Sequence, residues 1–209
     1  MKHIKINTYV VGQVQTNCYI VIHEETKECF IIDPGASAKQ LADRIRNEEL
    51  VPTAILLTHG HFDHAGGAEE LAKAFGIKIY AHEAEESTLK YPDKNVSWMV
   101  GKSETYRADV FLKDEQEIEL AGMKIKVFHT PGHTEGGCCY YLLEEGILFS
   151  GDTLFAGSVG RTDFPGGSMS QIVRSIREKL MSLSDDTTVY PGHGDVTTIE
   201  TEKMENPYL

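Results

Sequence analysis

Apolar positions fall first into runs with the two-residue period or full burial of β-strands. Residues 4–33 hold two or three such runs, the clearest being CYIVIH at 18–23 and CFII at 29–32, each rich in β-branched or aromatic side chains. Asp33-Pro34-Gly35 then breaks the sheet. Ser37 followed by Gln40 is a capping-box pattern, and Leu41, Ala42 and Ile45 share one face, which predicts a helix to about Leu50. Residues 52–57 read as a buried strand. Ala68, Leu71, Ala72 and Phe75 recur at helical spacing, Gly76 stops that helix, and a strand follows at 77–80, completing a β-α-β unit.

Residues 83–108 are polar and carry no clear period, apart from a short helix predicted before Tyr91. From Glu117 the pattern is extended again: EIEL, a turn at Ala121-Gly122, MKIKVFHT, then CYYLL, a turn at 144–146, and ILFS, which together predict an antiparallel meander. Ser168 and Gln171 repeat the capping-box pattern before a helix with Ile172, Val173, Ile176 and Leu180 on one face, and a short strand follows at 189–190. Two sheets packed face to face with helices outside accommodate this order. At 209 residues the chain is expected to form a single domain spanning 1–209.

Composition narrows the function. The net charge of -12, from 32 acidic and 20 basic side chains, repels phosphate backbones and anionic headgroups, so neither nucleic acid nor a membrane is an expected partner. Polar residues from Asn7 to Asn17 interrupt any apolar stretch of a signal peptide, despite Lys2 and Lys5, and no run is long enough to span a bilayer. The cytoplasm is the expected compartment. Cys18, Cys29, Cys138 and Cys139 show no CxxC spacing and read as buried free thiols.

The chemistry concentrates in Thr58-His59-Gly60-His61-Phe62-Asp63-His64, where an apolar strand ends and the Gly66-Gly67 helix begins. Four imidazole or carboxylate groups lie within six residues, and these are ligands that zinc, iron and manganese accept. A loop at a strand end can aim side chains i and i+2 at one point, and i+4 and i+5 at a second. The spacing differs from HExxH, so a thermolysin-like site is not implied. His133, Asp152 and His193 each lie just past a strand-like run and beside glycine, and supply the remaining ligands of two sites. His3, His23, His82 and His129 read as structural or solvated residues, with His129 the nearest to the ligands in sequence.

The segments THGHFDH, HTPGHT, GDTLF and PGHG, in that order over roughly residues 10–200, resemble the metallo-β-lactamase superfamily. The resemblance implies an α/β fold, an αββα sandwich of two mixed β-sheets flanked by helices, with ligands at one edge. It implies His59, His61 and His133 on a first metal, Asp63, His64 and His193 on a second, and Asp152 bridging the two divalent ions, which are expected to be zinc, with iron or manganese compatible. Asp152 stands where several β-lactamases carry cysteine, which makes antibiotic hydrolysis a minor option.

GDTLFAGSVGRTDFPGG and the ending NPYL are similar to the short glyoxalase II-like hydrolases, which cleave thioesters such as S-lactoylglutathione. The expected substrate is therefore a small acyl-thiol, with Asp63 orienting the attacking water and Phe155 and Arg161 as a wall and a carboxylate anchor. The chain stops about where longer members of that group begin a separate C-terminal substrate region. Gly160-Arg161-Thr162-Asp163-Phe164 also resembles the persulfide dioxygenases, whose single iron would sit on His59, His133 and Asp152. A metal-binding protein without catalysis is the third reading, and the oligomeric state is left open.

Overall fold

A computed structural model describes residues 4–209. His3 and Lys2 lie outside the described residues. In chain order the elements are β1 (Ile4–Val11), β2 (Thr16–His23), β3 (Glu28–Ile32), α1 (Ala38–Asn47), β4 (Val51–Leu56), α2 (Phe62–Ala65), α3 (Ala68–Phe75) and β5 (Lys78–His82). Then come α4 (Glu86–Lys90), α5 (Pro92–Asn95), β6 (Val110–Leu112), β7 (Glu117–Leu120), β8 (Met123–His129), β9 (Cys138–Leu142) and β10 (Ile147–Gly151). The chain continues through β11 (Leu154–Phe155), β12 (Ser158–Val159), α6 (Met169–Ser175), β13 (Thr188–Pro191), β14 (Thr197–Thr198) and α7 (Ile199–Glu205).

Two six-stranded sheets result, in the orders β1-β2-β3-β4-β5-β6 and β14-β13-β10-β9-β8-β7. Each is mixed. In the first, β1 to β3 pair antiparallel and β3 to β6 parallel. In the second, the antiparallel meander β7 to β10 is extended by β13, parallel to β10.

Three apolar layers account for the stacking. Tyr19, Val21, Phe30 and Ile32 of the first sheet meet Ile125, Val127, Tyr140 and Phe149 of the second in the central layer. On the outer face of the first sheet, Ile20, Ile31 and Ile55 pack on Leu41 and Ile45 of α1 and Leu71 of α3. On the outer face of the second, Leu148 and Val189 pack on Ile172 of α6 and Ile199 of α7. Strand β2 is buried on both faces, which is why its sequence is a continuous apolar run and does not alternate. The αββα sandwich of two mixed sheets is the fold that the sequence resemblance implies.

The two capping-box patterns have different outcomes. Ser168 is extended and its Oγ accepts from the Gln171 N–H, as its pattern predicts. Ser37 is in the left-handed region at φ 59° and makes no side-chain cap, because the chain has just turned sharply through Asp33-Pro34-Gly35. Gly35 packs so closely on the Asp63 backbone that a Cβ there would lie 1.3 Å from its carbonyl oxygen. The helix also ends at Asn47, earlier than the apolar face suggests, and the last apolar turn of α6 continues as a π-helical turn over Ile176–Leu180. Among the described residues no helix is long and apolar enough to cross a membrane.

Candidate metal centre

The seven predicted ligands converge at one edge of the two sheets, each from a segment that follows a strand. His59 and His61 leave the end of β4, and Asp63 and His64 lie in the single turn of α2. His133 is in the β8–β9 connection, Asp152 follows β10, and His193 follows β13. Glycine beside them is a steric need. Gly151 has φ +49°, and a Cβ on it would meet the Thr58 hydroxyl at 2.3 Å. A Cβ on Gly192 would meet Asp152 Oδ1 at 2.2 Å.

The ligand atoms form two groups. His61 Nδ1 stands 3.1 Å from His59 Nε2 and 2.9 Å from His133 Nε2. At the other end, His64 Nε2 is 3.4 Å from His193 Nε2, and Asp63 Oδ2 is 3.5 Å from the first and 3.2 Å from the second. Asp152 lies between the groups: Oδ1 is 3.3 Å from His64 Nε2, while Oδ2 is 3.5 Å from His133 Nε2 and 3.6 Å from His193 Nε2.

Outer partners decide which nitrogens face inward as lone pairs. His133 Nδ1 donates to the Arg161 carbonyl at 2.8 Å, and His193 Nδ1 to the Gln15 carbonyl at 3.3 Å. A carbonyl only accepts, so both protons sit on Nδ1 and both Nε2 atoms are free to ligate. His64 Nδ1 faces Asp33 Oδ2 at 2.9 Å with the same result. The Thr58 hydroxyl donates to Asp33 Oδ2 at 2.6 Å, so it accepts from His59 Nδ1 at 3.2 Å. Inward lone pairs facing one another and two carboxylates are a cation's ligand set. Buried Asp152 Oδ1, which faces this cluster, has no hydrogen-bond donor. These residues fit two divalent metal ions by the chemistry of the donors and by this unsatisfied polarity.

The electrostatics agree. Burial, and next the neighbouring His133, pushes the His61 imidazole down to about 3, and burial with His64 and His61 holds His59 well below the ordinary imidazole range. Burial opposes charge on Asp63 and Asp152 too, but the imidazoles outweigh it: His64 and His193 hold Asp63 well below the carboxylate range, and His64 chiefly brings Asp152 down to about 2. At the second group, Asp152, Asp63 and Asp33 overcome burial and raise His64. That end of the cluster demands positive charge.

Three residues of the site carried no flag in the sequence. Asp33, buried at the end of β3, accepts from the Thr58 N–H at 2.8 Å and the Thr58 hydroxyl, and from His64. Thr16 donates its hydroxyl to Asp63 Oδ2 at 2.9 Å. Glu85, fully buried, accepts from the Gly60 N–H at 2.7 Å, the Gly136 N–H at 2.8 Å and the Thr134 hydroxyl at 3.0 Å. It ties the loop of His59 and His61 to the loop of His133, and burial pushes its carboxyl up to about 7 against those donors.

Phe155 is beside the cluster, its ring 6.3 Å from His193. Arg161 lines the same cleft, but its guanidinium donates two 2.7 Å bonds to Asp163 and lies 3.9 Å over the Phe164 ring, so its charge is already engaged. His82 and His129 stack on each other with ring centroids 4.1 Å apart and belong to neither ligand group, and His23 accepts from the Thr26 N–H in the β2–β3 turn. All four cysteines are free and buried, and burial raises their thiols. Replacing His82 with alanine is expected to leave metal content unchanged while costing about 1–3 kcal/mol of stability, measured by metal analysis and thermal unfolding. Metal loss in that variant would show that the ligand set is wrongly drawn.

The chain belongs to the metallo-β-lactamase superfamily, whose family model matches residues 11–193. It is 38% identical to the hydroxyacylglutathione hydrolase GloC of Haemophilus influenzae, covering 95% of both chains. Among solved structures, that of the BLEG-1 B3 metallo-β-lactamase superposes with a TM-score of 0.93 at 39% identity, covering 98% of this chain and 99% of the other. TTHA1623 in a di-iron-bound form gives 0.84 at 35% identity, covering 97% and 100%. Fold, ligand cluster and relatives together define a metal-dependent hydrolase of this superfamily.

Proposed function

We propose that the chain hydrolyses thioesters with a binuclear centre, the first ion on His59, His61 and His133, the second on Asp63, His64 and His193, and Asp152 shared. The observation that carries this reading is Asp152, whose Oδ2 lies 3.5 Å from His133 of the first group and 3.6 Å from His193 of the second, while its Oδ1 lies 3.3 Å from His64 of the second. When bound, two divalent ions lower the pKa of a shared water toward roughly 7 and polarise the acyl carbonyl. Zinc is the proposed metal, and the di-iron form of a relative supports two-ion occupancy with iron as the alternative.

The chain's own residues then orient the reaction. Asp63, held ionised by His64 and His193 and anchored by Thr16, accepts a hydrogen bond from the attacking water and fixes its direction. The water oxygen bonds to the acyl carbon, the C–S bond breaks, and the departing sulfur takes up a proton from the water. Phe155 closes one side of the cleft beside His193. The similarity to GloC supports S-lactoylglutathione as the first substrate to assay. BLEG-1 makes β-lactam hydrolysis the second, although Asp152 occupies the position of a cysteine in several lactamases. The net charge of -12 supports a small molecule, and neither nucleic acid nor a membrane, as partner.

The deciding experiment counts metal per chain in protein purified without added metal, and measures thioester cleavage beside oxygen uptake with a persulfide. About two ions and thioester turnover are expected. One iron with oxygen uptake would transfer the protein to the dioxygenase chemistry, and bound metal with neither activity would make it a store or sensor.

A further inference from the structure

The metal cluster opens into a cleft of about 700 Å³. Its outer wall is built from two segments that hold no ligand. Val14 stands on the β1–β2 turn, and Met99 and Val100 stand on the 3-10 turn Ser97–Val100. These three side chains are 49%, 50% and 38% exposed, and Trp98, which precedes Met99 in the same turn, is 55% exposed. Large apolar side chains left in water around a catalytic cleft mark a recognition surface.

The charges around the cleft agree. Arg161 is spent on Asp163, and Lys102, in an adjoining cavity of about 420 Å³ that shares Val14 and Val100, pairs with Glu104 at 3.1 Å. Neither cation lacks a partner, so a highly anionic substrate finds no unpaired cation there. Biological thiols carry carboxylates or phosphates, which leaves the acyl group as the part of a thioester that suits an apolar wall. Resting on the thioesterase reading above, we propose that Val14, Met99 and Val100 form an acyl subsite, and that this protein prefers thioesters of apolar, medium-length acyl chains over the small polar lactoyl group.

The test compares S-acyl-N-acetylcysteamine thioesters from acetyl to octanoyl, and S-lactoylglutathione, with metal-loaded protein. The expected result is a kcat/KM that climbs about twofold to fourfold per methylene until the wall is covered, with octanoyl above S-lactoylglutathione. Met99→Ser with Val100→Ser, and separately Val14→Ser, should flatten that climb. All three positions are exposed, so these variants keep the core.

A second readout does not depend on turnover. Trp98 is the chain's single tryptophan. Octanoate should shift its emission to the blue and saturate, lactate should not, and the double variant should lose the response. Thioester cleavage that is flat with chain length, or fastest with S-lactoylglutathione, overturns the acyl subsite and leaves the hydrolase intact. Cleavage of no thioester at all overturns both.

Discussion

Asp152→Ala is expected to lower kcat/KM by on the order of 10³ or more and to take metal content from about two ions per chain toward one or none. Loss of a partner behind a ligand already costs about 10–100-fold, and Asp152 is itself within 3.6 Å of His64, His133 and His193. Its removal leaves both groups short of a shared anion. Metal analysis and steady-state kinetics read the two effects together. A variant that kept two ions and normal turnover would remove Asp152 from the centre.

Asp33→Ala should produce the largest loss of stability at the site. Asp33 is 1% exposed and receives three donors, the Thr58 N–H, the Thr58 hydroxyl and His64 Nδ1. Removing a buried acceptor with several partners costs about 3–5 kcal/mol. His64 also loses the group that keeps its proton on Nδ1, so affinity at the second ion should fall about 10–100-fold. Thermal unfolding of the metal-free protein reads the first effect, and chelator competition the second. Unchanged affinity would mean that His64 is oriented by its neighbours in α2 alone.

Legibility of the site in the sequence followed how local each signal is. His59, His61, Asp63 and His64 crowd one loop, and His133, Asp152 and His193 share the context of a strand end beside glycine. Asp33 has that same context, at the end of β3 before Pro34-Gly35, and the rule that found Asp152 would have found it; the tripeptide read instead as a sheet breaker. Thr16 and Glu85 offered no such handle. They touch the site across 47 residues for Thr16, and across 25 and 51 for the Gly60 and Gly136 contacts of Glu85, and a polar residue in a polar stretch has no period to mark it.

The fold was legible where burial imposes a period. Strands β2 and β3 are buried on both faces and read as continuous apolar runs, while helix α3 and the hairpin β7–β8 bury one face and repeat accordingly. The short helix expected before Tyr91 is α4, but the rest of residues 83–108 and the C-terminal α7 escaped. Residues 83–108 hold two helices of five and four residues, α4 and α5, too short to show helical periodicity, and α7 buries only Ile199 and Glu202 of its seven residues.

The parallel pairing of β13 with β10 decides what the end of the chain brings to the ligand cluster. His59, His61 and His133 all precede β9, although the Arg161 carbonyl that fixes the His133 ring and the Asp152 carboxylate beside it come later. The second group waits for β13, because only its alignment along β10 brings His193 within reach of Asp63 and His64. Undocking β13 would therefore take His193 from the second group and leave the three imidazoles of the first in place, so metal content that falls as the last strands open is the expected signature.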